Sequence, residues 1–246
     1  MKIFGNIAQG LFIVCLPLLF ITASLTWTIN SLWLYKSGFE KYNVSATTGL
    51  TEEEMGKTAQ GLISYFNSGD EYIRLTVIKD GQPFQLFNQR EIIHLKDVKE
   101  LFWLNYRVFL GVVAYALAYK LVCLFWQRKT PYLIRAWRRL AWGVVSGSSI
   151  TLVLMLVLGA GALLGEEQFA RFFFQFHLFS FANDMWLLDP TKDYLVMLFP
   201  QGFWFDTTRF CVLATAGMAM VFGGLAGSFL FLSKKDGVNQ APIRSE

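Results

Sequence analysis

Three long stretches of this 246-residue chain, 3–35, 140–165 and 210–233, carry no Asp, Glu, Lys or Arg. As helices rising about 1.5 Å per residue, each can cross roughly 30 Å of hydrocarbon. A fourth stretch, 101–126, is interrupted by Arg107 and Lys120. Both lie near its ends, from where a long cationic side chain reaches the headgroups while its stem stays among apolar groups. Composition agrees with four spans. Hydrophobic residues make up 54% of the chain and charged ones 16%, and the mean hydropathy is +0.40, outside the range of ordinary soluble domains.

The connection after the second span holds Arg128, Lys129, Arg135, Arg138 and Arg139 and no acid. A short loop this basic is expected to stay cytoplasmic. Four crossings then place both termini inside, which Lys2, Lys234 and Lys235 also favour. The expected order is a span over 1–35, an outer cap over 36–100, a span over 101–126, a basic inner loop over 127–139 and a span over 140–165. An aromatic-rich outer segment over 166–209, a last span over 210–233 and an inner tail over 234–246 follow. A cleaved signal peptide is the rival reading of the N-terminus, but its apolar core would run only about 7 to 15 residues. The expected location is the plasma membrane.

The first outer segment has the marks of a folded cap. Thr51-Glu52-Glu53-Glu54 fits a capping box, and Met55, Ala59, Leu62, Ile63 and Phe66 recur at helical spacing, which predicts a helix over about 52–66. The alternation over Tyr72–Ile78 predicts a strand, and Asp80-Gly81 before Pro83–Phe87 predicts a hairpin. A cap of residues 36–90 is too small to bury a large core alone. The expected fold class is therefore membrane α, with four transmembrane helices and a small extracellular α+β cap. Cys15, Cys123 and Cys211 all fall in apolar spans. An odd count without CxxC spacing argues against a disulfide framework or a redox centre.

The chain has two histidines, His94 and His177, and both fall in the outer segments. If Glu91–Leu101 is helical, His94 and Asp97 share a face, a spacing that lets a carboxylate hold an imidazole tautomer. The plainer alternative is a solvated juxtamembrane helix face made of Glu91, Lys96, Asp97, Lys99 and Glu100. His177 lies among Phe169, Phe172, Phe173, Phe174, Phe176, Phe179 and Phe181, a density that suggests insertion at the membrane interface. Asn183 and Asp184 follow, and Asp189-Pro190 reads as an N-cap and first residue of a short helix through Leu198. Here too a bland alternative stands beside the site: an aromatic anchor holding an inert, hydrogen-bonded histidine.

Several reaction classes lack their signatures. No HExxH motif occurs and neither histidine has a partner histidine at i+4, which weakens a zinc peptidase. GxSxG and Gly-rich phosphate loops are missing, so neither a serine hydrolase nor a nucleotide is implied. The charged residues of the second span sit near its ends, unlike the mid-membrane ionisable groups of transporters. What is left is acid–base chemistry by histidine at a lipid interface, on a membrane-bound substrate.

Two motifs, Phe87-Asn88-Gln89-Arg90-Glu91 through His94, Asp97 and Val98, and Phe176-His177 through Asn183-Asp184, Trp186, Asp189-Pro190 and Asp193, together resemble the lipoprotein intramolecular transacylase family of Gram-positive bacteria. The resemblance extends over nearly the whole chain apart from the tail after Ser233. It implies transfer of the sn-2 acyl chain of a diacylglyceryl-modified lipoprotein to the α-amino group of its N-terminal cysteine, giving the N-acyl, S-monoacylglyceryl lyso-form. It also implies that His94 and His177 form the catalytic pair. Supporting roles are expected for Asp97, Arg90, Asn183, Asp184 and Arg107, and pocket walls from Trp103, Tyr106, Phe172, Phe176, Phe179, Phe181 and Trp186. The expected partners are the lipoprotein substrate and membrane lipid, with no nucleic acid or nucleotide. No cofactor or metal is needed, because donor and acceptor belong to one molecule. A lipid hydrolase or an intermolecular acyltransferase would use the same residues, and a non-enzymatic membrane subunit with a partner-binding cap is the alternative from another class.

Overall fold

The first uncharged stretch folds as two helices in the computed structural model, which describes residues 2–125, 130–162 and 165–239. Helix α1 is Lys2–Ile29 and α2 is Leu32–Lys41. The break falls at the polar pair Asn30-Ser31, where the Ser31 N–H bonds back to the Thr28 carbonyl at 3.2 Å. The uncharged run therefore overshoots the first span, whose membrane-crossing part is Gly5–Ile29. The other elements are α3 (Val44–Thr48), α4 (Glu52–Asn67), β1 (Thr76–Lys79), β2 (Gln82–Gln85), α5 (Gln89–Phe125), α6 (Thr130–Ala162), α7 (Glu166–Ser180), α8 (Tyr194–Leu198) and α9 (Gln201–Asn239). Among the described residues four helices, α1, α5, α6 and α9, are long and apolar enough to cross a membrane.

Three of these spans reach further than the uncharged runs. Helix α5 begins at Gln89, so the stretch expected over 101–126 is the later part of one helix that also carries His94. Helix α6 begins at Thr130 and takes in Arg135, Arg138 and Arg139 of the expected inner loop; Trp126, Arg128 and Lys129 lie outside the described residues. Helix α9 begins at Gln201 rather than near 210. Charge ends an apolar run, whereas the backbone stays helical until a turn residue or a cap stops it.

The chain divides into two compact units. The first comprises 1–24, 107–157 and 212–246. Its core is Phe12, Leu16, Phe20, Tyr119, Leu140 and Ala219. Gly143 and Gly147, spaced as GxxxG, let α6 approach α1 closely: a Cβ on Gly147 would lie 2.5 Å from Leu16 Cδ1 and 3.0 Å from the Ile13 carbonyl oxygen. Leu110, Leu156 and Phe231 are exposed at 65%, 73% and 72%, an arrangement suited to lipid rather than water. The buried Ser24 hydroxyl is satisfied by Phe20 O at 3.0 Å and Thr215 Oγ1 at 2.6 Å.

The second unit comprises 25–106 and 158–211. Thr51 Oγ1 accepts the Glu54 N–H at 3.3 Å and so caps α4. Only half of the expected capping box forms, because the Glu54 carboxylate instead accepts the Ile78 N–H at 2.9 Å and pairs with Lys57. Strands β1 and β2 pair antiparallel with Val77 opposite Phe84. The turn between them is Asp80-Gly81, both with positive φ, at 52° and 76°, as a two-residue hairpin loop requires. The strand is shorter than the alternation over 72–78 suggested. Leu50, Leu62, Val77, Leu86 and Phe87 form a core that Leu195, Leu198, Phe199 and Phe203 complete. The small cap thus gains its missing apolar surface from the segment that follows α7.

Candidate active site

Asn88 opens α5 with a reciprocal cap. Its Oδ1 accepts the N–H groups of Arg90 and Glu91 at 2.9 and 3.2 Å, while Glu91 Oε2 accepts the Asn88 N–H at 2.7 Å. This satisfies donors that a helix start otherwise leaves open. The cap fixes the first turns of α5, and His94 lies one turn further on. At the other side of the site, α7 ends at Ser180 with the Phe181 N–H bonded to the His177 carbonyl at 3.0 Å. His177 therefore occupies the last turn of a short helix.

The two imidazoles face each other with ring centroids 5.8 Å apart and planes inclined by 37°. His94 is 6% exposed, and its Nδ1 is buried without a hydrogen-bond partner among the described residues. His177 is half-buried. Its Nδ1 lies 2.7 Å from the Phe173 carbonyl oxygen; a carbonyl only accepts, so Nδ1 carries the proton and Nε2 of the neutral ring keeps its lone pair. Burial pushes the His177 pKa below the ordinary histidine value, and the bond to Phe173 opposes that shift in part.

Aromatic rings wall the pair. Phe181 stands edge-on to His94 at 5.0 Å and lies 5.4 Å from His177. Trp186 lies 5.1 Å from His177, Phe173 4.4 Å and Phe176 5.6 Å. Other expected wall residues are placed differently. Phe179 is 94% exposed and Phe172 62% exposed on α7. Trp103 donates its indole N–H to the Phe66 carbonyl at 3.0 Å, and the Tyr106 hydroxyl accepts from Asn30 at 3.0 Å. These two sit nine and twelve residues after His94 on α5, about 14 and 18 Å along a helix. Arg107, the next residue, belongs to the first unit.

The polar residues expected to support the pair act mainly on the segment after α7. Asp97 Oδ2 accepts from Asn183 Nδ2 at 2.8 Å. The expected hold of Asp97 on the His94 tautomer is thus replaced by a bond to that segment: three residues along a helix bring side chains near each other, but Asn183 offers the better-placed donor. Asn183 Oδ1 accepts the Met185 N–H at 2.9 Å. Arg90 donates to the carbonyls of Asp184 and Leu187 at 2.8 and 3.0 Å, so Asp184 contributes its backbone oxygen. Asn88 donates to Asp193 at 2.7 Å. Residues 189–193 form a turn rather than the first turn of a helix. Asp189 Oδ1 accepts the Thr191 N–H and hydroxyl at 2.9 and 2.7 Å, and α8 starts only at Tyr194. An Asp-Pro pair serves an Asx turn as readily as a helix start.

Glu91 is the residue that sequence reasoning placed wrongly. It is 1% exposed, not part of a solvated face, and Lys99, two turns further along α5, is 8% exposed. Lys99 donates to the Asp70 carbonyl at 2.6 Å and covers the Tyr65 ring at 4.2 Å. The signal available for Glu91 was the Asn88-x-x-Glu91 spacing, a capping box with Asn in place of Ser or Thr. No group of three or more His, Cys, Asp or Glu side chains able to hold a metal occurs among the described residues. The arrangement brings together two imidazoles, each with a nitrogen not committed to the protein, in an apolar enclosure. Such a pair can take a proton from one substrate atom and deliver it to another.

Comparison with known proteins gives this geometry a family. The crystal structure of the membrane-integral lipoprotein intramolecular transacylase Lit from Bacillus cereus superposes with a TM-score of 0.76 at 17% identity, covering 96% of this chain and all of that one. Two structures of that protein with a single histidine replaced, by arginine or by alanine, give TM-scores of 0.70 and 0.71 at 18% and 17% identity. They cover 97% and 95% of this chain and 96% and 97% of theirs. Comparison with curated protein sequences yields no significant match. The sequence pattern described as "Lipoprotein intramolecular transacylase Lit" matches residues 10–204. This four-span membrane protein, with its paired histidines, belongs to the lipoprotein intramolecular transacylase family of acyltransferases.

Proposed function

We propose that the chain moves the sn-2 acyl group of a diacylglyceryl-cysteine lipoprotein to the α-amino group of the same cysteine, with His94 and His177 as the acid–base pair. The observation that carries this reading is the 5.8 Å separation of the chain's two imidazole rings within one aromatic enclosure. In the reaction the amine nitrogen attacks the ester carbonyl, an amide bond forms, the C–O bond to glycerol breaks, and the amine proton ends on the glyceryl oxygen. His177 Nε2, whose lone pair is left available by the Nδ1–H bond to Phe173, takes the proton. His94, deeper and with Nδ1 uncommitted, interacts with the developing oxyanion or leaving oxygen. Proximity supplies much of the acceleration, because acyl donor and amine are tethered in one substrate.

The same reading places the histidines on the outer face of the plasma membrane. Arg139 supports it: the side chain bonds to Gln9 Oε1 at 2.7 Å and to the Gly5 carbonyl, so the starts of α1 and α6 share a side of the bilayer with the arginine-rich segment. Positive charge of this density favours the cytoplasm. Impermeant thiol labelling of Gln82→Cys and Lys129→Cys, each in a background without native cysteines, checks the orientation: Gln82→Cys is labelled from outside and Lys129→Cys is not.

Mass spectrometry of a diacylglyceryl lipoprotein co-expressed with this chain tests the chemistry. An acyl shift onto the amine at unchanged mass supports intramolecular transfer. Lost acyl mass means hydrolysis, and a gained third chain means an external donor; either would overturn the reading.

A further inference from the structure

The proton transfers above give Glu91 no task, yet the protein keeps its carboxylate in a costly place. The side chain is 1% exposed and forms no ion pair among the described residues. A buried carboxylate without a counter-ion is tolerated only where hydrogen-bond donors replace its water. Here both oxygens are committed to backbone. Oε1 accepts the Leu195 N–H at 2.6 Å and Oε2 the Asn88 N–H at 2.7 Å.

The Leu195 bond joins α5 to a segment distant in sequence, whereas the Asn88 bond is local to the helix start. With the Arg90 bonds to Asp184 and Leu187, the Asn88 bond to Asp193 and the Asn183 bond to Asp97, the Leu195 bond ties residues 183–195 at both ends to the first three turns of α5. Three residues into the tied segment, between the two carbonyls that Arg90 holds, Trp186 lies 5.1 Å from His177 and 5.3 Å from Phe174. We infer that Glu91 is a positioning residue for the acyl transfer: it locks segment 183–195 onto α5, and through Trp186 it holds the His177 ring opposite His94. The inference rests on the two-histidine reading of the site.

Chemistry explains why glutamine cannot substitute. Each carboxylate oxygen meets a separate N–H donor; a glutamine would present one oxygen and one NH₂, and the NH₂ would oppose a donor. Either the tie to Leu195 or the cap bond to Asn88 must break, and either loss weakens the hold of the first turn of α5 on the segment. Glu91→Gln, as full-length protein in lipid nanodiscs, is expected to lower the single-turnover rate about tenfold or more with substrate binding little changed, and to raise amide hydrogen exchange within 183–195 while the α1 amides stay protected.

Arg90→Ala loosens the same segment from its exposed end. It serves as the second variant if Glu91→Gln does not fold, with the same pairing of faster exchange and slower transfer expected. Faster exchange without slower transfer would overturn the inference, as would slower transfer without faster exchange. His94→Ala and His177→Ala run in the same assay separate the two ideas: if either keeps near-normal activity the two-histidine reading fails, whereas the exchange data still report whether Glu91 holds the segment.

Discussion

His94 and His177 are held in opposite ways. His94 stands on a 37-residue helix whose first turn is capped by Asn88 and Glu91 and whose later part is a membrane span. His177 stands in the last turn of a 15-residue helix that is aromatic along most of its second half and bonds to little beyond its own backbone. One ring is set by backbone geometry, the other by packing against Phe173, Phe176, Phe181 and Trp186. The contrast teaches that two facing imidazoles, the proposed acid–base pair, can be built from a stiff half, set by a capped helix, and an adaptable half, set by ring packing.

The sharpest attack on this comparison removes the rings themselves. His94→Ala and His177→Ala should each lower transfer by about 100-fold or more, and the double variant should be little worse than either, since residues acting as one unit are not additive. Mass-spectrometric product formation by monodisperse protein measures this. A double variant with multiplied losses would mean that the rings work separately.

Acidification probes the adaptable half next. Burial lowers the His177 pKa, so its neutral form persists below the ordinary value of about 6.5, and only further acid removes the lone pair. Activity should hold as pH falls through 6.5 and then drop about tenfold per pH unit. A limb centred above 6.5 would contradict neutral His177 as the proton acceptor. Trp186→Ala should cost on the order of tenfold, through lost orientation of His177 rather than lost chemistry. The expected signature is a lower plateau with the acid limb moved up toward the ordinary histidine value, because losing the ring lessens the burial that depresses the His177 pKa. Asp97→Asn should cost only a few-fold, because the asparagine oxygen can still accept from Asn183. The smallest effect belongs to Phe179→Ala. With 94% of the side chain exposed and no contact to either imidazole, transfer in nanodiscs should change by less than about twofold.

Much of the stiff half was legible in the sequence. The apolar runs located the spans, Thr51 and Asp80-Gly81 marked a helix start and a hairpin, and both histidines stood out by being the only ones. What escaped was whatever depends on a choice among partners. The i to i+3 spacing of His94 and Asp97 is real, but which donor Asp97 prefers is decided by Asn183, 86 residues away. Glu91 read as surface because glutamate usually is, and the Leu195 N–H arriving from α8, beside the local Asn88 N–H, makes its burial tolerable. Likewise Phe179 and Phe181, two residues apart, differ in role because α7 ends between them, turning Phe181 toward the rings and leaving Phe179 outside.

The unbroken helix α5 has one more consequence. His94 lies seven residues before Leu101, where the apolar stretch begins, or about 10 Å of helix. A helix does not stretch, so the length of chain between this imidazole and the start of the apolar stretch is fixed like a mark on a measuring rod. In the proposed acyl transfer, the ester to be attacked is one held near the headgroups at that height. Turnover is then expected to depend on bilayer thickness, since a thinner or thicker membrane changes the tilt of a span.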